Sequence, residues 1–102
     1  MRIVVIDAYT KTITEQQMAK KPHTRALREA LRPTDPNAVT IAATVENGAT
    51  GDRFYIDRSP PHDAPSFMFL GDRYQGRGVI AGRDLNVDAD VPLKRVQTQV
   101  SF

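Results

Sequence analysis

Between Asp52 and Gly82, three short apolar runs stand apart from one another. They are Phe54-Tyr55-Ile56, Phe67-Met68-Phe69-Leu70 and Val79-Ile80-Ala81, and residues that interrupt regular structure separate them. Runs this short and this rich in aromatic and β-branched side chains suit a pleated, half-buried surface. Five of the chain's seven aromatic residues fall between Phe54 and Tyr74, which makes this stretch the place where a sheet must close over a core. In the first run Phe54 and Ile56 alternate with Arg53, Tyr55 and Asp57, the period of two that marks a strand. Pro60 and Pro61 then end it, because proline has no N–H to give a ladder. Ser59 to Pro65 reads as a stiff loop. The second run stops at Gly71-Asp72, and the link Gly71 to Gly76 is hairpin-sized. The third stops at Gly82-Arg83. These runs are expected to be three neighbouring strands in the middle of a sheet.

The flanks extend the pattern. Ile3-Val4-Val5-Ile6 is a continuous apolar run, as expected of a central strand covered on both faces. Thr12-Ile13-Thr14 reads as a returning strand; the alternative is a helix capped by Thr14 and running to Met18. Residues 22–31 form the clearest helix, with Leu27 and Leu31 at i and i+4 as an apolar stripe, Pro22 at an early position and Pro33 ending it. Val39, Ile41, Ala43 and Val45 alternate and should share one strand face. Asn47-Gly48 is a strong hairpin signal. Residues 91–102, alternating through Leu93, Val96, Val100 and Phe102, read as a last strand. The expectation is one α+β domain over residues 1–102, a mostly antiparallel sheet of five to seven strands with one helix packed on it.

The motif order Asp52-x-x-Tyr55-x-Asp57, then Phe67-x-Phe69, then Gly76-x-Gly78 with Gly82, resembles a pattern in small uncharacterised proteins of bacteriophages and prophages. The chain departs from that pattern at Ser59-Pro60-Pro61, where a short acidic turn containing glycine is expected. The resemblance implies a phage or prophage accessory protein acting in the host cytoplasm, and it carries no activity to any residue.

Composition narrows the function. At 102 residues, with 40% hydrophobic and 25% charged side chains, the chain has ordinary globular usage and room for one modest core. It has no cysteine, so neither a disulfide framework nor a thiolate zinc site is expected. No run approaches the about 20 apolar residues that span a bilayer, and the apolar stretch after Met1 is too short for a signal peptide; a cytoplasmic protein with no membrane partner is expected. Fourteen basic residues against twelve acidic ones give a net charge of +2, which permits a nucleic-acid partner without requiring one.

Candidate chemistry is sparse. At about 100° per residue, Lys21, Arg25, Arg28 and Arg32 share one sector of the helix, away from Leu27 and Leu31. Such a face could engage an acidic protein surface or phosphates, although any amphipathic helix turns a polar side to water. Arg73, Tyr74 and Arg77 could bind nucleic acid if Tyr74, with Tyr55, offered an exposed ring for stacking. His62-Asp63 could orient an imidazole for acid–base work, yet it also reads as plain loop. Ser59 and Ser66 lie near His62 in sequence, with no nucleophile elbow. Asp84-x-Asn86-x-Asp88 begins like a calcium loop, but Ala89 and Arg95 stand where glycine and a bidentate glutamate are needed. Gly76-x-Gly78-x-x-x-Gly82 is one residue too long for a dinucleotide fingerprint. No cofactor and no metal are expected.

The leading reading is a non-enzymatic accessory protein that binds a macromolecular partner, most simply a host protein that it inhibits. The surface would be the helix face or the Ser59–Pro65 loop. The alternatives are a nucleic-acid binder and a small enzyme of unknown reaction built on His62 and Asp63. A homodimer through the apolar tail as an edge strand is also open.

Overall fold

A computed structural model of the chain describes residues 2–17, 23–33, 36–45, 51–82 and 88–102. Lys21, Pro22, the Asn47-Gly48 pair, Asp84 and Asn86 lie outside the described residues. In chain order the elements are β1 (Arg2–Asp7), β2 (Thr12–Gln17), α1 (His23–Leu31), a 3-10 turn (Pro36–Ala38), β3 (Val39–Val45), β4 (Asp52–Asp57), β5 (Ser66–Phe69), β6 (Asp72–Gln75), β7 (Arg77–Ala81) and α2 (Leu93–Gln99). The fold is α+β. Five strands form an antiparallel sheet in the order β2-β1-β7-β4-β3, and β5 with β6 forms a second, two-stranded sheet.

The all-apolar run of β1 is explained by its central place. It pairs with β2 on one side and β7 on the other, and Ile3, Val4, Val5 and Ile6 are all buried. On one face of the sheet Ile3, Val5, Tyr55, Val79 and Ala81 pack against Leu27 and Leu31 of α1. On the other face Val4, Ile6, Phe54 and Ile80 pack against Phe67 and Phe69 of the second sheet and Val96 of α2. A sheet covered on both sides needs no alternation in its inner strands. Residues 12–17 are strand rather than helix. Their β-branched Thr12, Ile13 and Thr14 fit the pleat, and β1 supplies a partner in register from Asp7↔Thr12 to Arg2↔Gln17.

Four details differ from the sequence reading. The three apolar runs are not all neighbours in one sheet. β4 and β7 are, through Phe54↔Ile80, but β5 folds back on β6. The link between Gly71 and Gly76 is therefore itself a strand. Leu70 and Gly71 both take positive φ, 52° and 85°, which is the two-residue type I′ turn that matches strand twist and closes a local hairpin.

The tail is a helix rather than a strand. Leu93, Val96 and Val100 are spaced three and four apart, which suits a helical stripe as well as an imperfect alternation. Pro92 stands at the N-cap with φ −63°, where a missing N–H has no ladder to break. Only Ser101 pairs in extended form, with Met68, so the tail offers no strand edge for a second copy.

β3 does not keep one face throughout. Ile41 lies opposite Tyr55 and Ala43 opposite Phe54, so Ala42 is an extra residue that shifts the register. Val39 consequently packs on the α1 side, while Ala43 and Val45 pack on the other. Ile41 is left 53% exposed.

The last difference is the fastening of residues 88–91. Buried Asp52 accepts the backbone N–H groups of Asp90 at 3.0 Å and Val91 at 2.8 Å. The Arg2 guanidinium donates to the carbonyls of Ala89 at 2.7 Å and Val91 at 3.0 Å, and Arg2 also pairs with Glu15.

Phe54 joins the two sheets. Its ring meets Phe67, Phe69 and Tyr74 edge-on, with centroids 6.2, 4.9 and 5.0 Å away. It lies over Gly78, where an added Cβ would stand 2.4 Å from Phe54 Cε1 and 3.2 Å from Phe67 Cζ. Both rings are almost fully enclosed and cannot swing aside. Gly78→Ala should therefore lower stability by about 1–3 kcal/mol, the usual effect of overpacking. Chemical denaturation would measure it, and an unchanged midpoint would show that the ring has room to yield.

Candidate functional site

The Ser59–Pro65 loop is tied down at several points. Asp57 Oδ1 accepts the Ser59 N–H at 2.8 Å, and the Arg58 N–H donates to the Ala38 carbonyl at 2.8 Å. At the far end, the Gln75 side-chain amide donates to the Ala64 carbonyl at 3.2 Å, and the Gly76 N–H to that of Pro65 at 2.8 Å. The loop thus bridges the end of β4 and the end of β6, and two depressions form beside it. A groove of 220 Å³ is lined by Ile56, Asp57, Arg58, Pro60, Arg73, Tyr74 and Gln75. A tight cleft of 30 Å³ adjoins it, bounded among others by Tyr9, Arg32, Pro61, Gly76 and Arg77. Asp57, Pro60 and Gln75 belong to both.

The structure splits the expected helix face. Arg25 is exposed and paired with Glu29 at 3.5 Å, an i,i+4 contact of small energetic weight at the surface. Arg28 is exposed on the same helix. Arg32 lies past the last turn with φ 49°, its N–H on the Arg28 carbonyl at 2.8 Å. This left-handed cap carries Arg32 away from the helix face and to the cleft.

The second expected set divides as well. Arg73 is exposed on the groove. Tyr74 is half-buried, its ring packed edge-on against Phe54 at 5.0 Å and tilted against Phe67 at 5.7 Å. Burial, and secondarily the negative charge of Asp72, pushes its hydroxyl pKa up. A ring held this way is part of the core rather than a stacking platform. Tyr55 is buried against the α1 layer. Arg77 reaches Asp7 Oδ2 at 3.2 Å and lies 4.5 Å from the centroid of the half-exposed Tyr9 ring, so an ion pair and a cation–π contact fix it in place.

Arg32, Arg73 and Arg77, drawn from both sets, therefore converge around one loop with Arg58. Arg58 and Gln75 were not among the candidates drawn from the sequence, and Asp57 entered only through the strand alternation and the Asp52-x-x-Tyr55-x-Asp57 motif, with no role assigned to it. Nothing local distinguishes Arg58 from any strand-ending cation; only the tertiary path puts it opposite Arg73.

The enzyme candidates do not assemble. His62 and Asp63 are both exposed in a turn closed by the Ala64 N–H on the Pro61 carbonyl at 3.0 Å. No hydrogen bond joins His62 to Asp63, Ser59 or Ser66 among the described residues. In the acidic run, Asp88 Oδ1 accepts the Arg2 N–H at 2.8 Å, and Asp90 contributes its backbone N–H to Asp52. Among the described residues no group of three or more His, Asp or Glu could hold a metal ion. No helix among them is long and apolar enough to cross a membrane. Comparison with protein-family models, curated proteins and solved structures finds no match.

The raised Tyr74 pKa has a definite sign for stability. The unfolded chain loses this proton at the ordinary tyrosine value of about 10, before the folded chain does. The contribution is complete below that pH and falls as pH climbs through the folded value. Tyr74→Phe should remove this share of the alkaline loss. Urea midpoints of the two chains from neutral to strongly alkaline pH would reveal it, and parallel declines would show the hydroxyl to be uncoupled from folding.

Proposed function

We propose that this is a non-enzymatic binding protein that captures an acidic macromolecular partner, a protein, on the arginine-rimmed surface around the Ser59–Pro65 loop. One observation carries the reading. Arg32, Arg58, Arg73 and Arg77, from four separate segments, line two adjoining depressions that share Asp57, Pro60 and Gln75. Guanidinium groups are weakly hydrated planar donors suited to carboxylates, and cations around a concave surface steer an acidic partner toward it. Arg25 and Arg28 on α1 extend the basic character beyond the groove. The likeness to phage and prophage proteins would make the partner a host protein and the outcome its inhibition.

The nucleic-acid reading is second. The half-exposed Tyr9 ring beside Arg32 and Arg77 favours it, and the enclosure of Tyr74 weighs against it. The paired variant Arg58→Glu/Arg73→Glu separates binding from folding, since both side chains are exposed. It should keep the wild-type melting temperature and weaken capture of the partner from host lysate by about tenfold or more. Undiminished capture would refute the assignment. Tight binding of DNA or RNA at low salt, falling steeply as salt rises, would favour the second reading instead.

A further inference from the structure

The partner class proposed above is a chemistry; the hairpin also supplies a binding mode. We propose that an extended acidic segment of the partner adds to the free edge of β6 as a further strand of the small sheet, an inference that rests on the acidic-partner reading.

The register fixes which backbone groups face outward. Phe69 and Asp72 flank the two-residue turn, and in such a hairpin this pair exchanges hydrogen bonds while the next pair turns its groups away. The next pair is Met68↔Arg73. On the β5 side the outward groups are already in use. The Met68 N–H donates to the Ser101 carbonyl at 2.7 Å, and the Met68 carbonyl accepts the Ser101 N–H at 3.1 Å. By the same alternation, Arg73 and Gln75 project their N–H and C=O groups from the other edge, two residues apart, which is the spacing an added strand needs. No backbone group among the described residues bonds to them.

That edge opens into the 220 Å³ groove. Pro60 on its wall has no N–H to compete for the incoming chain's carbonyls. Arg58 and Arg73 stand on the rim, and the one carboxylate in the lining, Asp57, already accepts the Ser59 N–H. An incoming strand presents every second side chain to the same face, so alternate acidic residues would meet the arginines. A second copy is the poorer occupant, because antiparallel pairing of β6 with itself would bring arginine toward arginine. Nucleic acid lacks the alternating amide donors and acceptors.

The test titrates the isotopically labelled full chain with a short capped peptide alternating glutamate and valine. Backbone hydrogen exchange at Arg73 and Gln75 should slow on binding. N-methylation of alternate peptide amides should weaken binding by roughly three- to tenfold per blocked bond, and the lysine-for-glutamate peptide should bind far more weakly. Gln75→Pro would remove one outward donor but also the side-chain bond to the Ala64 carbonyl that ties the loop, so the N-methylated peptides carry this arm of the test without altering the protein. Binding that ignores N-methylation, or protection confined to α1, overturns strand addition while leaving an acidic partner in place. Equal binding of the lysine peptide overturns the charge argument while leaving strand addition. No binding of the peptide, or a dimer in light scattering that already protects Arg73 and Gln75, overturns the inference outright.

Discussion

The architecture depends on one contact, the ring of Phe54 seated where Gly78 has no side chain. A buried phenylalanine removes about 150–250 Å² from water, and at about 25 cal/mol per Å² this is one of the larger single contributions available to a chain of this size. The ring also fixes the second sheet over the first, because Phe67, Phe69 and Tyr74 all abut it. The edge-to-face contacts are directional. The small hairpin is therefore held in position as well as attracted, and β6 stands at a defined distance from the end of β4. The groove between them is a consequence of that spacing.

A hairpin of this size is marginal alone. Its turn is local and strong, but its inner face has nothing to bury except against the larger sheet. Packing on Phe54 stabilises it, and the Ser101 bridge closes the β5 side. Of the two strands of the small sheet, β6 then keeps its outer edge unpaired among the described residues, and it lies beside a loop stiffened by three prolines and rimmed with arginine. Open strand edges are usually shortened, charged or covered. Here β6 is short and carries Asp72 and Arg73, which discourages indiscriminate pairing while leaving room for a partner of complementary charge.

Much of the architecture was legible because it follows from local pattern. The apolar runs at residues 3–6, 54–56 and 79–81, the Leu27/Leu31 stripe and the α+β class all follow from spacing and residue type. What escaped depends on context. Leu93, Val96 and Val100 fit two periods at once, and only docking of Val96 into the core decides for the helix. The extra residue at Ala42 leaves no mark in a run of small and β-branched side chains. Arg32 was noticed in one set, and Arg73 and Arg77 in another. Their convergence comes from the left-handed conformation of Arg32 and the fold-back of β5 on β6 through Leu70-Gly71; each is a local turn, but where it carries the arginine is decided by the tertiary path. The half-burial of Tyr74 escaped for a related reason: a tyrosine in a polar-looking strand gives no sign of which neighbours will close over it.

The fastening of residues 88–91 bears on the order in which the chain assembles. The side chains that hold this segment belong to Arg2 and Asp52, so its anchorage spans nearly the whole chain on one side and 38 to 39 positions on the other. Contacts of such long range form late, after nearer pairings have shortened the effective loop. The carboxy-terminal helix can thus settle only after β1 and β4 have both joined the sheet. Val91 and Val96 find their burial only on the assembled sheet, which ties the closing of this segment to the completion of the core.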